Sequence, residues 1–136
     1  MSEIVIIRDA GFAREDWLGG FQTEFEAGSG AGLDLASDGD VAQLGDVLGE
    51  ISMIRIDFPS FADGRGFTLA KRLRNLGYQG RLRAKGHVIA DQYAMARRAG
   101  FDEVEISGEL AARQGEAQWL ARADWQDHDY QARLRG

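Results

Sequence analysis

Asp63-Gly64-Arg65-Gly66 sets an arginine between two glycines, immediately before the basic run Thr68 to Arg74. At the mouth of a helix this pattern suits an anion. Asp63 can cap the helix, Gly64 can take a positive φ, and Gly66 lets a ligand approach the backbone. The free N–H groups of a first helical turn favour negative charge. Arg65, Thr68 and Arg72 fall on one helical face, away from the apolar positions. The competing reading is a capped turn whose arginine pairs with a neighbouring carboxylate. Residue types alone leave both open.

The stretch Arg83 to Gln92, "RAKGHVIADQ", repeats the theme. Arg83 and Lys85 supply positive charge, and His87 suits a general acid, an anion ligand when protonated, or a helix cap. Asp57, at the end of the preceding apolar run, and Asp91 and Gln92, just downstream, are placed to orient these groups. Anion-site candidates are therefore Asp63, Gly64, Arg65, Gly66, Thr68, Arg72, Arg83, Lys85 and His87. No catalytic residue stands out.

Other chemistries find no support. "GSGAG" at Gly28 to Gly32 precedes a strand instead of following one, so it is no dinucleotide fingerprint. His87 and His128 are the only histidines, too few to predict a zinc site, and no metal is expected. The chain has no cysteine, which excludes disulfides, thiolate metal sites, cysteine nucleophiles and cysteine-ligated iron–sulfur clusters. The identity of any cofactor stays open.

The elements that must position these residues read as alternating strand and helix. Strands are predicted at Glu3–Arg8, Leu33–Ala36, Ile51–Phe58, Gly80–Ala84 and Asp102–Ser107. Helices are predicted at Asp40–Leu48, Gly66–Leu76, Val88–Ala99 and Glu109–Ala121. Four strand–helix alternations predict an α/β fold: repeated βα units forming a mainly parallel sheet with helices on one face. Leu69, Ala70, Leu73 and Leu76 form one apolar helical stripe, and Ile89, Tyr93 and Ala96 another.

Each predicted strand has one apolar and one charged face. Ile54, Ile56 and Phe58 alternate with Arg55 and Asp57, and Val104 and Ile106 with Glu103 and Glu105. The charged face is either open to water with cross-strand ion pairs, or the lumen of a half-barrel that a second copy closes, making a homodimer. The cost of burying a ladder of charges favours an open or partly covered face.

The 136 residues fit a single domain, 1–136, with an N-terminal strand and irregular arm (1–32), a βα core (33–121) and a C-terminal tail (122–136). The net charge of -6 hides an asymmetry: residues 1–50 carry 11 acids and 2 bases, residues 51–98 carry 3 acids and 10 bases. The basic middle either meets acidic segments in the fold or binds an anion. An acidic chain without exposed aromatics interleaved in its basic stretch is not expected to bind nucleic acid. No apolar run reaches the roughly 20 residues of a membrane span. The acidic start lacks a signal-peptide n-region, so a cytoplasmic location is expected.

Phe58, Phe61, Asp63-Gly64-Arg65, Leu82-Arg83-Ala84, Gly86, Asp91-Gln92 and Gly100-Phe101-Asp102 together resemble the bacterial domain of unknown function 934 family. "LDLASDGDVAQL" and Tyr130-Gln131 also look familial. The resemblance covers nearly the whole chain. Members carry an acid where this chain has His87, which speaks against a catalytic role there. The resemblance implies a link to assimilatory sulfite reduction, because the family's genes neighbour those of sulfite reductase, and it carries the label of an oxidoreductase. Two functions follow as expectations. One is an accessory protein acting by contact with sulfite reductase or a related sulfur enzyme. The other is a small oxidoreductase component or anion- or nucleotide-binding enzyme, with its site at the C-terminal edge of the sheet and an anionic small molecule as ligand.

Overall fold

The computed structural model describes residues 4–125. It contains strands β1 (Ile4–Arg8), β2 (Gly11–Ala13), β3 (Phe21–Gln22), β4 (Gly32–Leu35), β5 (Met53–Phe58), β6 (Arg81–Gly86) and β7 (Glu103–Ser107). Its helices are α1 (Arg65–Asn75), α2 (Tyr93–Ala99), α3 (Gly108–Arg113) and α4 (Glu116–Leu120). The strands form one mixed sheet in the order β2-β1-β7-β6-β5-β4-β3. Neighbours from β3 to β7 pair parallel. β1 runs antiparallel to both β7 and β2, so the sheet has an antiparallel end that the alternation did not predict. The fold is α/β.

Alternation in the strands builds the core. Ile54, Ile56, Phe58, Leu82, Ala84, Val104 and Ile106 bury against Phe67, Leu69, Ala70 and Leu73 of α1 and Tyr93 and Ala96 of α2. Leu76 does not join them: it is 48% exposed, because the chain turns away at Gly77.

Three helices differ from expectation. Asp40–Leu48 is two short 3-10 turns, Ala42–Leu44 and Leu48–Glu50. There Asp40 accepts from the Ala42 N–H at 3.0 Å, a local turn that competes with helix. Val88–Ala99 is helical only from Tyr93, after a 3-10 turn at Ala90–Gln92. Glutamine side chains take two of its backbone donors, Ile89 N to Gln92 Oε1 (3.0 Å) and Ala90 N to Gln114 Oε1 (2.7 Å). Glu109–Ala121 is broken between α3 and α4 at Gln114-Gly115, glycine being a poor helix former. Glu3, His128, Tyr130 and Gln131 lie outside the described residues.

The charged face is covered at its centre. Asp34, Arg55, Arg83 and Glu103 form one cross-strand row. Arg83, Glu103 and Glu105 are buried, at 0%, 2% and 3% exposure. The cover is the chain's own arm: Glu15 pairs with Arg83, and the Phe21 ring lies 3.6 Å from the Arg55 guanidinium carbon. The face is therefore partly covered: closed over Arg83, Glu103 and Glu105, and exposed at Asp57. Complete pairing makes burial tolerable. Arg83 also meets Glu103 (2.6 Å) and Glu105 (2.8 Å), while Arg55 forks onto Asp34 (2.6 and 2.8 Å) and reaches Glu105 (3.0 Å).

Candidate functional site

The C-terminal ends of β4 to β7 share one edge of the sheet, where α/β proteins place ligands. Side chains lace the loops along it. Ser37 Oγ, after β4, donates to Asp63 Oδ2 at 2.8 Å. Gln92 Nε2, after β6, donates to the Phe61 carbonyl at 2.9 Å. Gln114, at the end of α3, accepts from Ala90 N. The two loops singled out in the sequence therefore meet, but at Phe61 and not at Arg65. The Phe61 and His87 rings pack edge to face, centroids 5.3 Å apart at 87°.

Arg65 is engaged within its own turn. Its Nε and Nη2 donate to the two Asp63 oxygens at 2.9 and 2.8 Å, and its backbone N–H donates to Oδ1 at 3.1 Å. The Arg65 guanidinium, with Ser37 next, holds the Asp63 carboxyl well below the usual carboxylate range. This geometry is a turn with a paired arginine, but Asp63 is not the predicted cap: the N-cap is Gly64, without a side-chain cap bond, and Asp63 holds the Arg65 N–H from one residue further out. Gly64 has an ordinary φ of -81°, so the turn needs no left-handed residue there. At Gly66 a Cβ would lie 2.4 Å from Phe58 Cζ, so this glycine serves packing and not ligand approach. Beneath it, the Phe58 ring packs tilted against Phe67 (centroids 4.9 Å apart) and edge to face against Phe101 (5.8 Å).

The other candidates scatter. Thr68 and Arg72 are exposed on the outer face of α1, and their side chains have no partner among the described residues. Arg83 belongs to the buried ion network beneath the arm. Asp91 pairs with Arg122 at 2.8 Å, both exposed, and so does not orient His87. Gln92 acts on His87 only through Phe61. Lys85 sits in register between Asp57 and Glu105. Neither Lys85 nor Asp57 has a hydrogen-bond or ion-pair partner among the described residues. His87 donates its backbone N–H to the Phe58 carbonyl at 2.9 Å, and its ring lines a cavity of about 280 Å³ with Phe61, Gly86, Ser107, Glu109 and Arg113.

Ser107 and Arg113 escaped sequence reasoning, as did Glu15 and Phe21 of the arm. Ser107 had a legible signal: its Oγ accepts from Leu110 N at 3.1 Å, the N-cap expected of a serine three residues before a helical leucine. Glu15 and Phe21 had none, since their partners lie on distant strands. Among the described residues no group of three or more His, Asp or Glu could hold a metal ion, and no helix is long and apolar enough to cross a membrane.

No curated protein and no solved structure matches the chain. The family model described as bacterial protein of unknown function (DUF934) matches residues 32–136, and with most of its length so covered the chain belongs to that family.

Proposed function

We propose that the protein is a cytoplasmic accessory of assimilatory sulfite reduction and acts by contact with sulfite reductase or a related sulfur enzyme. The resemblance supplies the sulfur link. The observation that supports contact is Phe61: 44% exposed, on the rim, and held in place by Gln92 and His87. A rigid, exposed aromatic with its loop already ordered loses little entropy on docking, as contact anchors require. The reading includes an architecture in which the crossover helices pack on one sheet face and the sheet curves as a half-barrel. The sequential order β3 to β7 favours it, since right-handed crossovers between sequential parallel strands fall on one side.

Gel filtration of the protein mixed with the cognate reductase tests the proposal. A complex that weakens in Phe61→Ala, with a change in reductase rate, is the expected result. No complex and no rate change would remove the reading. The second reading is an anion-binding enzyme or redox component. One observation favours it: Lys85, near the rim, has no partner among the described residues. A bound flavin or nucleotide, seen in the colour and mass of the native protein, would move the conclusion there.

A further inference from the structure

Lys85 is a half-buried lysine whose natural partner has been taken. Its register neighbour on β7, Glu105, is drawn to Arg55 at 3.0 Å and to Arg83 at 2.8 Å. Its neighbour on β5, Asp57, is exposed and equally without a partner among the described residues. The row below, Arg55 and Arg83 with their acids, is fully paired. Two opposite charges thus sit side by side near the C-terminal edge, unbonded to each other, directly above a network that has no charge to spare for them.

The cavity at His87 adjoins this pair. Gly86 lines it with a φ of 111°, and a Cβ there would lie 2.8 Å from the Phe58 carbonyl oxygen and 3.5 Å from Asp57 Oδ1. Asp57 Oδ1 thus lies beside Gly86, next to the residues that line the cavity, which include neither Asp57 nor Lys85. Strand alternation puts Ser107 on the same sheet face as Glu105, hence as Lys85. Two residues of strand rise about 7 Å, a span a lysine stem can bridge. The remaining charges of the cavity, Glu109 and Arg113, are exposed and face each other at 3.6 Å.

We infer that this cavity binds a small oxyanion that still carries a proton, between Lys85, His87 and Ser107 on one side and Asp57 on the other. The ammonium of Lys85 and the Ser107 hydroxyl donate to charged oxygens, and the ligand's own O–H donates to Asp57. A carboxylate in an anion site selects for that O–H, because a fully deprotonated oxyanion would meet it charge to charge. At about 280 Å³ the cavity holds such an ion together with bridging waters. The site is distinct from Arg65, and it goes beyond the contact reading because it needs no partner protein.

The test uses the isolated protein with inorganic phosphate, sulfite and sulfate at matched ionic strength and mildly acidic pH, where phosphate and sulfite are mostly singly charged and protonated while sulfate carries no proton. The His87 ring resonances, assigned against His87→Gln, are followed by NMR. Phosphate and sulfite should shift them saturably, and sulfate should bind about tenfold more weakly or less, the equivalent of one charge-assisted hydrogen bond. Asp57→Asn should bring sulfate to within about threefold of phosphate, and Lys85→Met should weaken phosphate by about tenfold or more. No saturable shift with phosphate or sulfite, or equal affinities for phosphate and sulfate, would overturn the inference. Both readings come from the unaltered protein, so they hold even if a variant fails to fold.

Discussion

Arg83 presents its two terminal nitrogens to the two carboxylate oxygens of Glu15, with Nη2 to Oε1 at 2.8 Å, across 68 residues of sequence. The arginine is wholly inside the protein and the glutamate is the edge of its cover. Breaking a buried pair by removing one member leaves the other charge without compensation. Arg83→Ala should therefore cost about 3–5 kcal/mol. Glu15→Gln keeps one acceptor and leaves Glu103 and Glu105 in place, so it should cost less, about 1.5–3 kcal/mol. Urea unfolding measures both. Two variants within about 0.5 kcal/mol of the parent would mean that the arm contributes no more than an ordinary surface segment.

The same arm makes stability depend on acid. Hydrogen bonding from Arg83 lowers the Glu15 pKa, and hydrogen bonding from Arg81 lowers that of Asp16. A carboxylate whose folded pKa is depressed stabilises the fold above its unfolded value, near pH 4. That contribution is lost as pH falls through the folded value. The unfolding midpoint should thus hold steady above about pH 5 and decline below it. Glu15→Gln should show a shallower acid decline as well as a lower plateau. An acid limb identical to the parent's would separate the arm from the pH response.

How legible these features were depends on whether their cause is local. The faces of β5 and β6 were readable because Ile54–Arg55–Ile56 and Leu82–Arg83–Ala84 alternate with the pleat itself. The antiparallel β1 was predicted as a strand, but nothing in Ile4 to Arg8 says it will pair with β7 in place of continuing the parallel order. The arm was opaque for a stronger reason. Glu15 and Phe21 show no periodicity, and what places them is Arg83 and Arg55, residues of other strands. The burial of the charged face followed from that omission. Of the candidate site, the rim position was legible, while the meeting of its two loops depends on Gln92 reaching the Phe61 carbonyl. The hand-off was not: Asp63 captures Arg65 while Gln92 captures Phe61, and both depend on rotamers that residue types leave open.

Arg65 offers a direct check on that hand-off. If the arginine only ties down its turn, Arg65→Lys and Arg65→Ala should lose little stability, as exposed ion pairs contribute little. Sulfate, sulfite and phosphate should then shift the unfolding midpoints of all three proteins equally. The Asp63 carboxyl should return toward the ordinary range in Arg65→Ala, because its largest depressing cause is gone. Thermal unfolding with and without each anion, and NMR titration of Asp63, measure these outcomes. An anion response present in the parent and lost in both variants would restore Arg65 as a binding residue.

Gly64 and Gly66 look equivalent in sequence and should behave oppositely. Around Gly64 an added Cβ meets nothing within 4 Å, and the φ of -81° is one that alanine adopts freely. Gly64→Ala removes flexibility from the unfolded chain alone and should be neutral or stabilise by about 0.4–1 kcal/mol. At Gly66 the same methyl would press into the Phe58 ring, with three ring carbons between 2.4 and 2.8 Å. Phe58 cannot retreat, being 1% exposed and wedged against Phe67 and Phe101. Overpacking there should cost about 1–3 kcal/mol. Unfolding of the two variants side by side decides what the glycines are for. If Gly66→Ala were as stable as the parent, the aromatic cluster under the turn would be looser than its geometry implies, and the second glycine would again need a ligand to explain it.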